Sequence, residues 1–194
     1  MSFAKPSFFE VILIKYLEAP LTEPLYRRYA ESLGLKGDEK VLDFGSGYGG
    51  NARHIAQILQ KGEGRLSCVD ISEFWLDVVK NKLKEYSNVD FKAGEISSLD
   101  IEDSCFDVIV VHFTLHDIEK DSRQKVAKAL ARKLKDTGRL FIREPTKKKH
   151  GMQPDEIREL MAEAGLKETW YNLSKAMLSG MTYAGIYLKQ QKAG

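Results

Sequence analysis

The chain has 194 residues, 43% hydrophobic and 30% charged, and its 30 Lys and Arg against 28 Asp and Glu leave a net charge of +2 with His neutral. At this size about 70% of the unfolded chain's surface can be buried, so one core without disulfide or metal staples is expected and whole-chain disorder is excluded. The near-cancelled charge argues against a nucleic-acid partner held by bulk attraction, and two cysteines, Cys68 and Cys105, are too few for a disulfide framework or a four-cysteine metal site.

The N-terminus lacks a basic stretch followed by a long apolar run and a small-residue cleavage site. Its apolar patch Val11-Ile12-Leu13-Ile14 is broken by Lys15 and is too short to span a bilayer. A cytoplasmic location without a membrane span is expected. Phe8, Val11, Ile12 and Tyr16 recur at helical spacing over Ser7 to Leu17, and Leu21 to Leu33 reads as a second helix stopped by Gly34. Residues 1–34 are expected to form a helical lid on a single domain whose core spans 39–189. Val41 to Phe44 is a short strand running into glycines, and Asn51 to Gln60 is the helix that follows. Arg65 to Val69 is a second strand ending at Asp70. Ser72 caps a helix reaching about Lys84, and Val89 to Ala93 is a third strand.

Phe106 to Val111 is a near-continuous apolar run, as in a central strand buried on both faces. Asp121 and Gln124 suggest a helix start, with Val126, Leu130 and Leu134 on its inner face and Gly138 closing it. Arg139 to Arg143 is a fifth strand. Pro154, Asp155 and Glu156 open a helix that ends at Gly165. Lys167 to Leu173 and Thr182 to Lys189 read as a strand pair running antiparallel. The alternation predicts an α/β fold with a mostly parallel sheet, helices on both faces and an antiparallel C-terminal strand.

The segment with the most chemistry is Val41-Leu42-Asp43-Phe44-Gly45-Ser46-Gly47-Tyr48-Gly49-Gly50. Glycines there let a strand turn sharply into a helix and let a ligand lie on bare backbone, while the helix N-terminus offers unpaired N–H groups. Gly45, Gly47 and Gly50, with Asp70 twenty residues on, also satisfy a dinucleotide-binding pattern. Asp43 tips the reading the other way. A negative charge two residues before the first glycine suits an ammonium or sulfonium ligand better than a pyrophosphate.

With Asp43, Gly45, Gly47 and Gly49 in place, the segment resembles motif I of class I S-adenosylmethionine-dependent methyltransferases, of the small-molecule, UbiE-like type. The resemblance is strongest from Glu39 to Glu144. It implies a Rossmann-like seven-stranded sheet and S-adenosylmethionine as cofactor, bound by the loop including Ser46. Asp70 matches the family's ribose-binding acid, and Ile71 would flank the adenine. Gly94-Glu95-Ile96 resembles the family's turn after the third strand, with Glu95 in place of the commoner Asp. His112, at the end of the fourth strand, would line the cofactor pocket.

Methyl transfer from a sulfonium needs mainly proximity and alignment, and a base only where the acceptor must lose a proton early. His116 is the candidate base, with Asp117 as an orienter of its ring, and the alternative is a His that packs or hydrogen-bonds at a loop start. The Leu-His-Asp stretch resembles one in small-molecule O-methyltransferases where the His is the base, and also ones in quinone and other small-molecule methyltransferases where that role is not general. Glu144 reads either as a ligand for a substrate amine or hydroxyl, or as a partner of Arg143 or a loop cap. Tyr16, Tyr26 and Tyr183 are candidates to roof the site, but a tyrosine so placed is more often core or rim. Lys147 to His150 is a basic run that reads as a solvated loop. No Asn/Asp-Pro-Pro-Tyr motif follows the fourth strand. The expected acceptor is a small molecule methylated at O, C or N, with no nucleic acid, no metal and a homo-oligomer as an option. Two rivals stand beside it: an NAD(P)-binding oxidoreductase using the same glycines, and a module that binds S-adenosylmethionine without catalysis.

Overall fold

The computed structural model describes residues 19–147, 150–176 and 180–190. The expected helix from Ser7 to Leu17, with Tyr16, lies outside them, as do Lys148 and Lys149 of the basic run. The chain forms two compact units, Met1–Glu95 and Ile96–Gly194.

In the first unit the order is α1 (Ala19–Ser32), β1 (Lys40–Phe44), α2 (Gly50–Leu59), β2 (Arg65–Asp70), α3 (Glu73–Lys82) and β3 (Val89–Ala93). The strands are parallel in the order β3-β2-β1. Ala52, Ile55, Ala56 and Leu59 form the buried stripe of α2, at the i, i+3, i+4, i+7 spacing of an amphipathic helix. Ser72 caps α3 as expected, its hydroxyl accepting the Trp75 N–H at 3.4 Å. Gly34 ends α1 in the left-handed region, φ 62°.

The second unit contains β4 (Phe106–His112), a 3₁₀ turn at Leu115–Asp117, α4 (Lys120–Lys133), β5 (Leu134–Pro145), α5 (Pro154–Glu163), β6 (Leu166–Ala176) and β7 (Gly180–Lys189). Its strands lie in the order β4-β5-β7-β6, with β4 and β5 parallel and β7 antiparallel to both β5 and β6. The seven strands are thus the mostly parallel, Rossmann-like set that the sequence predicts, with β7 as the antiparallel strand. Val108, Ile109, Val110 and Val111 are buried, as the apolar run requires.

Two readings of α4 need correction. The helix starts at Lys120 behind Glu119, with no side-chain cap bond, so Asp121 and Gln124 make no capping box. It also ends at Lys133, five residues before Gly138. No glycine is needed there, because the Arg132 and Lys133 carbonyls accept the Ser104 and Cys105 N–H groups at 2.8 and 3.0 Å, which satisfies carbonyls a helix end otherwise leaves bare. Gly138 serves a bulge instead: Lys135 to Gly138 stand opposite Asp107 alone, and a Cβ on Gly138 would lie 2.7 Å from Leu134 Cδ1. The buried side chains of the helix include Ala127 and Leu130, with Val126 only half-buried.

On β7, Tyr183 and Tyr187 are fully buried on one face. Gly185 between them makes room, since a Cβ there would meet the Tyr183 hydroxyl at 2.5 Å. Both phenols hydrogen-bond Glu168, whose partner on α5 is Arg158 at 3.1 Å. Tyr183 is therefore core. Among the described residues, no helix is long and apolar enough to cross a membrane.

Candidate functional site

The first unit carries the glycine loop. Gly45, Gly47 and Gly49 all have positive φ (73°, 50° and 75°), a region open to glycine at little cost. The loop is pinned to β2 by the Gly45 and Ser46 N–H groups, which donate to Val69 O at 2.8 and 3.2 Å, and closed by Gly49 N–H on Ser46 O at 2.8 Å. The Ser46 hydroxyl donates to Asp43 O at 2.8 Å. Among the described residues, nothing lies within 4 Å of where a Gly47 Cβ would stand, so they leave the backbone at the turn's apex open on that side.

Asp70 works first as a clamp. Its Oδ2 accepts the Gly47 N–H at 2.8 Å and its Oδ1 the Ser72 N–H at 2.9 Å. With the Ile71 N–H also directed at the carboxylate, about one of its four acceptor sites is left for the ribose contacts implied by the family resemblance. Burial raises its pKa against the lowering effect of the Ser72, Gly47 and Ile71 N–H groups. Asp43 is 2% exposed. Burial, with the like charge of Asp70, pushes its pKa up to about 7.

Around this loop stands a support that the sequence did not reveal. Lys82 of α3 donates to the carbonyls of Tyr48 and Gly49 at 3.4 and 3.1 Å and sits 5.4 Å from the Tyr48 ring centroid. Tyr26 of α1 meets Tyr48 edge-on, with centroids 5.9 Å apart. A Cβ on Gly50 would lie 2.8 Å from the Tyr26 ring, so Gly50 is there for helix packing. Tyr26, a candidate for roof, core or rim, is part of this support. Ile71 is 64% exposed and Glu95 is exposed, while Gly94 takes φ 134° and donates to Asp70 O at 3.0 Å.

The second unit carries the titratable cluster. The 3₁₀ turn presents His116, and its Nδ1 lies 2.6 Å from Oε2 of Glu144 on β5. Glu144 is fully buried; its Oε1 accepts the Thr114 and Leu115 N–H groups at 2.9 and 2.7 Å. One carboxylate thus holds both the turn's backbone and the ring. The His116 Nε2 lies 3.5 Å from Asp117 Oδ1. Burial opposes charge on the ring, but the hydrogen bond and charge of Glu144, with Asp117, outweigh it and raise the His116 pKa. Glu144 therefore pairs with His116 rather than Arg143, and the ring is oriented by Glu144 more closely than by Asp117. The pairing spans 28 residues of sequence, and its only sequence signal was a carboxylate at the end of an apolar strand.

Ile96 and His112 also belong to this unit. Ile96 is 1% exposed and so is core. Burial and the Arg143 charge hold the His112 pKa down at about 3, so its ring is neutral. It lies against Phe113 with centroids 4.3 Å apart, and Phe113 has φ 57°, an uncommon conformation for a non-glycine residue.

A family profile described as a methyltransferase domain matches residues 41–138, 98 of the 194 residues. A demethylmenaquinone methyltransferase of Tropheryma whipplei (strain Twist) is 31% identical over 123 residues, 63% of this chain and 48% of the relative. The chain spans about half the length of the curated relatives it first matches. In structure it resembles the [4+2]-cyclase SpnF, with a TM-score of 0.74, 15% identity and coverage of 86% of this chain and 81% of that one. It also resembles 1,6-didemethyltoxoflavin-N1-methyltransferase of Burkholderia thailandensis, solved with 1,6-didemethyltoxoflavin and S-adenosylhomocysteine, with a TM-score of 0.73, 19% identity and coverage of 94% and 86%. At these identities the structural likeness concerns the fold.

Proposed function

This chain belongs to the methyltransferase domain family, and on that premise we propose that it methylates a small molecule with S-adenosylmethionine as donor. The observation that carries the cofactor is Asp43. Burial and Asp70 both oppose its charge, and a cationic ligand group beside it supplies the compensating sign. Gly47, open above its backbone among the described residues, and Asp70, with an acceptor site to spare, fit the rest of such a ligand. Asp43, Gly45, Ser46, Gly47, Gly49 and Asp70 are the residues proposed to hold it, with Ile71, Gly94 and Glu95 at the adenine end. S-adenosylmethionine supplies a methyl group already activated on a sulfonium.

His116 is the proposed base. The Nδ1 proton is directed at Glu144, which leaves Nε2 to take a proton from the acceptor. Its raised pKa makes it a stronger base than free histidine and suits a phenol, an enol or an activated carbon acid. The acceptor is accordingly proposed to react at O or C, since an amine is already nucleophilic once neutral. Asp117, near Nε2, would stabilise the imidazolium. Ile96, buried in the core, and His112, neutral and packed on Phe113, are proposed to shape the surroundings rather than to exchange protons.

The first experiment is calorimetric titration with S-adenosylhomocysteine and, in parallel, NADH. Micromolar binding of the first alone supports the reading, and binding of NADH alone overturns it in favour of an oxidoreductase. A second reading is a bound cofactor without methyl transfer, since a binding loop does not by itself imply chemistry. Formation of S-adenosylhomocysteine from S-adenosylmethionine with any phenol or quinol in a panel excludes that second reading.

A further inference from the structure

Arg123 of α4 makes three contacts with one guanidinium. Nη2 donates to His116 O at 3.0 Å and Nε to Ile118 O at 2.9 Å. Nη1 is paired with Glu156 Oε1 of α5 at 2.6 Å. The side chain is 14% exposed. The planar fork of Arg reaches two carbonyls and a carboxylate from three separated nitrogens in a fixed geometry, which the single nitrogen of a lysine does not reproduce. The turn bearing His116 is thereby held from two sides. Glu144 takes the N–H groups entering it, and Arg123 takes the carbonyls leaving it.

We infer that Arg123 is a positioning residue for His116, and that its pairing with Glu156 couples α5 to the protonation of that ring. The inference rests on His116 acting as the base. The ring is surrounded by Glu144 from β5, Asp117 from its own turn, Arg123 from α4 and, through Arg123, Glu156 from α5; His150 acts on Asp117. The Arg123 charge opposes protonation of His116. Glu156 partly cancels that charge, so the two members of the pair act on the ring in opposite senses. Loosening of the turn has no such opposition, because either substitution frees the same segment.

The test is a proton NMR titration of the His116 ring in the full chain, with no acceptor required. Arg123→Gln is expected to raise the His116 pKa by about 0.5, on the order expected for one partly buried charge, and Glu156→Gln to lower it by a smaller amount, since Glu156 acts through Arg123. Shifts of the same sign, or no shift in either variant, overturn the inference. Glu144→Gln is run beside them and is expected to lower the pKa by about 1; no change there overturns the base assignment itself and so separates the two failures. Arg123→Lys guards against a variant that does not fold. It keeps the charge and loses the fork, so the pKa should stay near that of the parent. Amide exchange should nevertheless quicken at Asp117 and Ile118, whose N–H groups close the turn on Thr114 and Leu115 carbonyls at 3.2 Å. Unchanged exchange in that variant also overturns the positioning role.

Discussion

At Asp43 two penalties meet, loss of water and the nearby charge of Asp70, and they lift its pKa to about 7 from an ordinary 3.8. A carboxyl whose folded pKa lies above its unfolded one favours the folded state below about pH 4, and that advantage is lost as the pH rises to 7. Asp43→Asn should therefore stabilise the ligand-free protein more at pH 8 than at pH 5, by a difference on the order of 2 kcal/mol, read from urea unfolding at the two pH values. The same substitution should weaken S-adenosylmethionine at least about tenfold, as expected for a lost charged partner. Equal stabilisation at both pH values would show that the carboxyl is not titrating between them. Asp70→Ala should weaken S-adenosylhomocysteine far more than His116→Ala, because it removes two loop-holding acceptors as well as any ligand contact; equal losses in calorimetry would sink that division of roles. The acids Asp43 and Asp70 stand out in the sequence because they sit at fixed offsets from glycines, and the hold of Asp70 on the glycine loop is what the structure adds. Glu144 was legible as a residue of interest but not in its role, since its partner comes from a turn 28 residues away and only the folding of β5 beside that turn brings them together. Arg123 gave no signal at all: on a helix bearing many cations, one more looks like a solvated face.

Helix and strand identities followed from periodicity and from turn residues, and the errors fall where backbone groups find distant partners. Helix α4 stops at Lys133 because Ser104 and Cys105, each 28 residues upstream of its partner, cap its carbonyls. Gly138 looked like the stop but serves a bulge. Gly50 similarly looked like part of a nucleotide fingerprint, whereas the Tyr26 ring occupies the space its Cβ would need. Gly50→Ala should cost roughly 1–3 kcal/mol through overpacking of α1 on α2. Tyr26→Ala in the same chain should recover part of that loss, so the double variant is less destabilised than the sum of the two singles. Strict additivity in thermal or urea unfolding would show that the ring is not the obstacle.

For the whole molecule, composition set the class correctly: an ordinary core with nearly balanced charge. S-adenosylhomocysteine at about 100 times its dissociation constant should add about 2.7 kcal/mol, which for a chain of this length means a rise of roughly 5–10 °C in Tm; NADH at the same concentration should leave Tm unchanged. An equal rise with both would point to a nucleotide site without selectivity. The position of β7 between β5 and β6 has a consequence for synthesis. Pairing of β6 with β7 is local, Ala176 opposite Gly180 at the near end, whereas β5 meets β7 across a longer stretch of chain, Arg139 opposite Leu188. Local contacts form at low entropic cost, so the hairpin is expected to zip before it docks on β5. Among the described residues, strand β6 has no neighbour other than β7, so a nascent chain that has left the ribosome only as far as Ala176 holds an unpaired strand and a bare β5 edge. The second unit is thus committed to folding late, and its hazard during translation is edge-to-edge pairing with another copy rather than slow collapse.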